Sequence, residues 1–430
     1  MERDAKALLI RLFEAAVAAV RPEVCLAGHL PPPPEGRLIV LAAGKAAASM
    51  ARAAVRYYHE AHGRSVIDRL SGLVTTRPGY GLDTAPLPLI EAGHPVPDAA
   101  SLEASEKTLA LARAARPEDL VLVLLSGGGS ALWTAPLAPL TLAGKQAVTR
   151  QLLRSGATIS ELNCVRKHLS AIKGGRLARA VHPAPLLTLA ISDVPGDDPS
   201  VIASGPTVPD PTCRQDALAI CRRHRVDLPA EAEALLADPA NESAKPGEPC
   251  FKNARYALVA TPRMALDAAA SVARQEGYEV VTLGAALEGE ARDLARDHAE
   301  RALAARKTGR PALLLSGGEV TVTVRGAGRG GPNQEFALAL AIALEGAGGI
   351  HAIACDTDGT DGGTGAATDP AGAVIGADTL ARATALCLDP AAHLAENDSG
   401  GFFRQLGDLV APGPTFTNVN DFRAILVSGE

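Results

Sequence analysis

Short apolar runs rich in branched side chains alternate with alanine-rich helical stretches along the whole of this chain. The runs are RLIVLAA (37–43), DLVLVLL (119–125), PLLTLAI (185–191), YALVA (256–260), YEVVTL (278–283), PALLLS (311–316), VTVTV (320–324) and IHAIAC (350–355). Helical segments at 46–60, 101–115, 262–276, 288–306 and 333–345 separate most of them. Strands spaced by helices predict an α/β fold with mostly parallel sheets. VTVTV follows its neighbour so closely that a local antiparallel hairpin is expected there. At 430 residues the chain exceeds the usual size of one hydrophobic core, so two domains are expected. The polar stretch ANESAKPGEPCFKNAR (240–255) is the best junction, which gives a Rossmann-like domain over 1–245 and a second α/β domain over 246–430.

Composition removes several function classes. A net charge of −6 and an aromatic content of 3% give neither the basic face nor the stacking platforms that nucleic acid needs. The seven cysteines contain no C-x-x-C pair, which argues against a zinc site or a disulfide framework and for reduced thiols in a cytosol. The N-terminal stretch carries Glu2, Asp4, Arg11 and Glu14 through its apolar positions, as an amphipathic helix does and a secretory leader does not. The longest apolar run, FALALAIAL (336–344), is too short to cross a bilayer. A cytoplasmic protein without membrane or nucleic-acid partners is expected, as a monomer or a homodimer.

The exits of the strands carry the chemistry, because ligands of open α/β sheets bind beyond the carboxyl ends of the strands. AAGKAAAS (42–49) offers Lys45, and SGGGSALW (126–133) offers Ser126, Gly127, Gly128 and Ser130. SGGEV (316–320) offers Ser316, Gly317, Gly318 and Glu319. SDVPGDD (192–198) and CDTDGTDGG (355–363) offer clustered carboxylates, among them Asp193, Asp356 and Asp361. Backbone amides and lysine suit phosphate oxygens, and carboxylates suit a hard divalent cation such as Mg²⁺. Each has a plainer reading: tight turns, a solvated lysine, and Asx turns that cap the next element. Asp197 and Asp198 either face a ligand or only shape their turn. No Walker A pattern surrounds Gly44 and Lys45, and DTDGTDGG departs from an EF-hand loop at Thr360, Asp361 and Ala367.

Two further segments bear on anions. If the helix within GATISELNCVRKHLSAIKGGRLA (156–178) runs through residue 173, Arg166 and Lys173 share a face beside Asn163, and Gly174 ends it. That face suits an anionic substrate, or is simply solvated. RGAGRGGPNQEF (325–336) contains G-x-G-x-x-G at Gly326, Gly328 and Gly331, with Asp356 at the distance of a ribose-binding acid. This dinucleotide reading is opposed by Arg325 and Arg329 beside the glycines, by Pro332, and by the half-exposed Val/Thr alternation before them. The arginines fit phosphate clamping better.

LNCVRKHLSAIKGGRLA, SDVPGDDPSVIASGPTVPDP, SGGEVTVTVRGAGRGGPNQEFALALA, DTDGTDGGTGAA and PTFTNVNDFRAIL together resemble the glycerate 2-kinase family, with its C-terminal MOFRL module over about 311–427. The likeness runs from GKAAASMA to NVNDF, with Cys164 and Thr364 at positions expected to vary. The resemblance implies two α/β domains with the active site in the cleft between them. It also implies ATP-dependent, Mg²⁺-dependent phosphorylation of (R)-glycerate on its 2-hydroxyl to 2-phosphoglycerate. Members often carry the label hydroxypyruvate reductase, so an NAD(P)-dependent reductase is the alternative, and a nucleotide-binding protein without turnover a third. Lys45 and Arg325 are implied as cations near the transferring phosphate or the substrate carboxylate. Asp193 and Asp361 are placed near the metal or the 2-hydroxyl, one orienting Mg²⁺ and the other taking the proton. Ser126–Ser130 and Ser316–Gly318 would cradle phosphates. Glu319, Arg329, Asn333, Glu335, Asn418, Asn420 and Asp421 lie beside the site by family position, or else close loops by hydrogen bonding.

Overall fold

The structure, a computed structural model, describes residues 2–363 and 366–429. Thr364 and Gly365, within DTDGTDGGTGAA, lie outside the described residues. The chain forms two compact units: Met1–Val24 with Ser192–Gly196 and Ala260–Glu430, and Cys25–Ile191 with Asp197–Val259. A single cut between residues 245 and 246 differs from this partition at the N-terminus, over Ser192–Gly196, and over residues 246–259. The helix Glu2–Ala19 buries Leu9, Leu12, Phe13 and Ala16, and Phe13 stacks at 5.8 Å on Phe422 from the far end of the chain. An apolar stripe of that width has to be covered, and residues from the C-terminal half cover it.

The Cys25–Val259 unit is built on a six-stranded sheet of β1 (Leu38–Ala43), β2 (Leu70–Thr76), β3 (Leu89–Glu91), β4 (Leu120–Leu125), β5 (Leu186–Ile191) and β6 (Ala254–Ala260). Their order is β3-β2-β1-β4-β5-β6, and the pairs β1–β2, β1–β4, β2–β3 and β4–β5 run parallel. β1 is buried at every position, the unbroken apolar pattern of a strand covered on both faces. The winding reverses between β1 and β4. The segments leaving those two strands therefore flank the crevice where doubly wound sheets bind ligands.

The other unit carries β7 (Glu279–Glu290), β8 (Ala312–Thr321), β9 (Ile350–Asp356), β10 (Gly372–Ile375), β11 (Leu409–Val410) and β12 (Asp421–Val427), in the order β11-β10-β9-β12-β8-β7. Here the expectation of parallel pairing fails: only β7–β8 is parallel, since β12 inserts between β8 and β9 antiparallel to both, and β10 runs antiparallel to β9 and β11. The expected hairpin at VTVTV is absent as well. β8 continues through Ser316-Gly317-Gly318 to Thr321 as one strand. The helix Pro332–Leu344 is buried on nearly all sides, against Ala299 and Ala302 of one helix and Phe402 and Phe403 of another, which is why FALALAIAL is apolar throughout.

Candidate functional site

At the exit of β1, Gly44 has φ +138°, and a Cβ there would lie 2.1 Å from Ser126 Oγ. Only glycine lets the β1 exit come this close to the β4 exit. Lys45 N–H then donates to Gly127 O (2.8 Å) and Ala46 N–H to Ser126 Oγ (2.9 Å). Ser126 is fully buried, its hydroxyl engaged in joining the two exits. Gly128 sits at φ +83°, where a Cβ would come within 2.9 Å of the His94 ring and 3.5 Å of Lys45 Cγ. The glycines thus bring the stem of Lys45 and His94 together. Ser130 completes the turn, its Oγ 2.6 Å from Ser204 Oγ.

Beside this turn opens a cavity of about 410 Å³ lined by His94, Gly128, Ser130, Lys145, Arg166 and Lys173 among others. The helix expected to carry both Arg166 and Lys173 ends early, spanning Ile159–His168. Ser170 leaves it for a β-bridge with Pro136, and its hydroxyl accepts the amides of Ile172 and Lys173. Lys173 reaches the cavity from the following turn instead, its ammonium donating to the carbonyls of Ser130 (2.7 Å) and Trp133 (3.0 Å). Gly174 and Gly175 have positive φ and lead into the next helix rather than ending the previous one. Burial, reinforced by Lys145 and Arg166, pushes the Lys173 ammonium well below its ordinary range. Asn163 is buried in the helix that bears Arg166. Lys145 carries no sequence signal, since it lies in the first turn of the helix Leu142–Arg154, in LAGKQAVTR, with nothing to mark it as buried.

The acidic segments of the other unit are used differently from one another. Asp361 is buried, and its carboxylate accepts the amides of Asn333 (3.0 Å) and Gln334 (2.9 Å), together with both of their side-chain amides (3.3 and 3.0 Å). It caps the helix Pro332–Leu344, where the positive end of the helix dipole favours it. Burial and neighbouring Asp421 nevertheless push its pKa up to about 7. Asn333 also donates to Asp421 (2.6 Å), whose other oxygen pairs with the fully buried Arg423. Asp356 accepts the Asp358 amide (2.8 Å), and Asp358 accepts the Thr360 amide and hydroxyl, so this run is a chain of Asx turns. Asp198 does the same for Ser200. Asp193 differs. It is half-buried after β5, with Asn418 donating to its carboxylate (3.0 Å) and Asn420 to its main-chain carbonyl.

Among the described residues no three His, Cys, Asp or Glu side chains gather as a metal cage. Mg²⁺ does not require one, since one or two carboxylates with substrate phosphates suffice. Asp361 does not fit that use, because donors occupy both of its oxygens. Asp193 and Asp356, both half-buried, fit it.

Ser316, Gly317 and Gly318 do not form the amide cradle expected of them. They pair with Arg423, Phe422 and Asp421 of β12, and the Ser316 hydroxyl meets buried His298 at 2.9 Å. Glu319 is exposed on the next position of the strand. Arg325 and Arg329 are exposed on a loop fixed by its backbone: the amides of Arg325 and Gly326 donate to Asn397 Oδ1 (2.7 and 3.0 Å), and that of Arg329 to Asp398 (3.1 Å). The glycines of G-x-G-x-x-G press on protein. A Cβ on Gly326 would lie 2.4 Å from Glu396, one on Gly328 2.4 Å from Asp398, and one on Gly331 2.3 Å from the Asp361 carbonyl. β12 also separates the two strands that a dinucleotide-binding βαβ unit would pair side by side.

Comparison with known proteins covers both halves of the chain. Residues 8–237 match the family model described as a domain of unknown function, DUF4147, and residues 312–421 match the MOFRL family. An Agrobacterium vitis protein bearing the name hydroxypyruvate reductase is 50% identical over 99% of this chain and 95% of its own. D-glycerate 2-kinase of Thermotoga maritima is 38% identical over 97% of both chains. The crystal structure of a glycerate kinase from the same organism superposes with a TM-score of 0.88 at 37% identity, covering 99% of this chain and 100% of the other. A likeness of this extent, carried through both units, makes the chain a member of the glycerate kinase family.

Proposed function

We propose that this protein is a glycerate 2-kinase: it transfers the γ-phosphoryl group of ATP to the 2-hydroxyl of (R)-glycerate, with Mg²⁺ as cofactor, giving 2-phosphoglycerate and ADP. The observation that carries the reading is the array of cations at the switch point of the parallel sheet, where Lys45, Arg166 and Lys173 attend the glycine turn of β4. Full-length identity to a D-glycerate 2-kinase supports it. In the transfer, the bond between the γ-phosphorus and the bridging oxygen of ADP breaks as a bond from the 2-hydroxyl oxygen forms, and the hydroxyl proton leaves. Such chemistry asks the protein for positioning and charge neutralisation more than for covalent participation. We assign Lys45 and Arg325 to oxyanions of the substrates, and Asp193, oriented by Asn418, to the departing proton or the metal. Mg²⁺, when bound, would neutralise phosphate charge, with Asp193 and Asp356 as its protein ligands.

The name that the Agrobacterium vitis relative bears suggests a reductase, but the packed glycine loop offers that reading no support. One experiment separates the two. Purified protein is incubated with D-glycerate and MgATP, and in parallel with hydroxypyruvate and NADH or NADPH, and products are assigned by phosphorus NMR. Magnesium-dependent 2-phosphoglycerate is expected. Nicotinamide oxidation without any phosphorylated product would overturn the proposal.

A further inference from the structure

Glu335 is 2% exposed and stands in the first turn of the helix Pro332–Leu344. One of its carboxylate oxygens accepts from Arg292 Nε (2.7 Å), and the other from Asn397 Nδ2 (2.9 Å). Arg292 is held in turn, its Nη2 donating to the Leu394 carbonyl (2.7 Å). Asn397 is buried at φ +54°, a left-handed conformation that asparagine tolerates better than most residues. It presents one end of its amide to Glu335 and the other to the loop, where Oδ1 takes the amides of both Arg325 and Gly326. The direction of that amide is dictated. A carboxylate only accepts, so it draws the NH2 end of Asn397 and leaves the oxygen for the two backbone N–H groups. The reversed amide would set oxygen against carboxylate and NH2 against two donors.

The neighbouring residues extend the same seat. Gly328 N–H donates to the Glu396 carbonyl (2.9 Å), Arg329 N–H to Asp398 Oδ1 (3.1 Å) and Gly400 N–H to the Arg329 carbonyl (2.8 Å). The backbone from 325 to 329 is thereby moulded on residues 396–400, while the side chains of Arg325 and Arg329 face solvent. A buried ion pair and a left-handed asparagine are costly ways to close a surface loop, and such devices collect where a side chain must be placed accurately. We infer that Arg292, Glu335 and Asn397 form a positioning relay that sets the backbone at 325–326 and so aims the Arg325 guanidinium. Glu335, which the sequence sets beside the site without a role, acts through Asn397. The inference rests on the kinase reading only for what Arg325 does once placed; the seating of the loop does not depend on it. Misplacing a charge-neutralising group by about 1 Å is enough to cost a phosphoryl transfer on the order of 100-fold.

The test exchanges the two ends of the contact in the full chain. Asn397→Asp sets two carboxylates face to face, and Glu335→Gln makes two donors meet, at Asn397 or at Arg292. The double variant Glu335→Gln/Asn397→Asp restores a complementary pattern at the same net charge, losing only the weak 3.4 Å contact of Asn397 Nδ2 to the Thr323 carbonyl. Trypsin reads the loop directly, by cleavage after Arg325 and Arg329, and cleavage after Arg301 inside the helix Ala291–Arg306 reports general unfolding. Each single variant should speed loop cleavage at least tenfold with cleavage after Arg301 unchanged, and lower kcat with MgATP and D-glycerate at least tenfold. The double variant should return both to within about threefold of wild type. In an Arg325→Ala background, Asn397→Asp should lower kcat less than twofold further, because the relay has lost the group it places. Wild-type loop cleavage in both single variants refutes the inference, as does cleavage that rises equally after Arg301. A double variant no better than the singles refutes it too, and so does a full kcat loss on top of Arg325→Ala. Absence of turnover in the wild type would sink the kinase reading instead, and the tryptic pattern alone would then decide whether the relay seats the loop.

Discussion

Replacing Lys145 by methionine should make the ligand-free protein more stable, and by an amount that depends on pH. Burial, with Arg166 and Arg176 adding like charge, pulls the Lys145 ammonium from 10.5 down to about 7. For a base whose folded pKa lies below its unfolded value, the charged form is penalised on folding. The penalty is therefore complete below the folded pKa and fades as pH rises towards the unfolded one. At pH 7 the difference corresponds to about 4 kcal/mol against folding, and at pH 9 to about 2 kcal/mol. Methionine is similar in length and fills the same space without the ammonium. Lys145→Met should therefore raise the melting temperature of the Cys25–Val259 unit at pH 7, by roughly 2–4 °C for each kcal/mol recovered. Differential scanning calorimetry at pH 7, 8 and 9 follows the gain as it shrinks. An unchanged or lowered melting temperature, or a gain that does not shrink towards pH 9, would refute the placement of this amine in an uncompensated site.

The remaining expectations concern the other unit. Arg325→Ala removes an exposed side chain while its backbone contacts to Asn397 persist, so kcat should fall on the order of 100-fold or more with an unchanged melting temperature; steady-state kinetics and calorimetry check the pair. Asp361→Ala removes the cap of the helix Pro332–Leu344 and leaves buried donors unmatched, so urea unfolding should show a loss of about 2–4 kcal/mol. A metal ligand at Asp361 would instead show itself as a shifted magnesium dependence of kcat at preserved stability. Asn418→Ala removes one donor from the Asp193 carboxylate, and should lower kcat about tenfold or more while costing about 1 kcal/mol of stability or less, as steady-state kinetics and urea unfolding would read.

What could be read from the sequence was what neighbouring residues encode together. The apolar run ending in Gly44-Lys45 and the one ending in Ser126-Gly127-Gly128 announced strand exits, and the sheet order sets those exits at the switch point. Arg166 and Lys173 both reach the cavity, though not along one helix: Ser170 breaks away to pair with Pro136, a contact across more than thirty residues that helical periodicity cannot register. Lys145 was invisible for the same reason. Its burial is imposed by segments far away in the chain, and a lysine within LAGKQAVTR looks like any solvated one. The acidic run DTDGTDGG misled in a different way. A carboxylate that accepts backbone amides and one that binds a cation use the same lone pairs, so spacing alone does not separate them. The amides of Thr360, Asn333 and Gln334 decide the matter for Asp358 and Asp361. The mixed direction of the second sheet depends on β12, whose insertion between β8 and β9 is set by pairing and leaves no mark in its own residues.

Glycine density, the most conspicuous ligand-like signal in this chain, belongs mainly to backbone crowding, and the two Ser-Gly-Gly segments show how. After β4 the glycines bring the exits of β1 and β4 together and turn Lys45 towards His94. Within β8, Gly318 has φ +119°, and a Cβ there would lie 2.1 Å from the Leu287 carbonyl oxygen, where the register with β7 shifts. The first is a turn beside a cavity and the second a strand irregularity, although their sequences are nearly alike. The G-x-G-x-x-G loop follows the second pattern, which gives a sharp expectation. Gly326→Ala forces a methyl group to within 2.4 Å of the Glu396 backbone, and neither main chain can yield without breaking the contacts that Asn397 makes to residues 325 and 326. The cost should be several kcal/mol, on the order of 2–4, read as an earlier urea transition whether or not a nicotinamide cofactor is present. A loop built to cradle a dinucleotide would behave in the opposite way, keeping its fold stability and losing stabilisation by NADH. Measuring the unfolding midpoint of Gly326→Ala with and without NADH therefore decides what these glycines are for, independently of any assay of turnover.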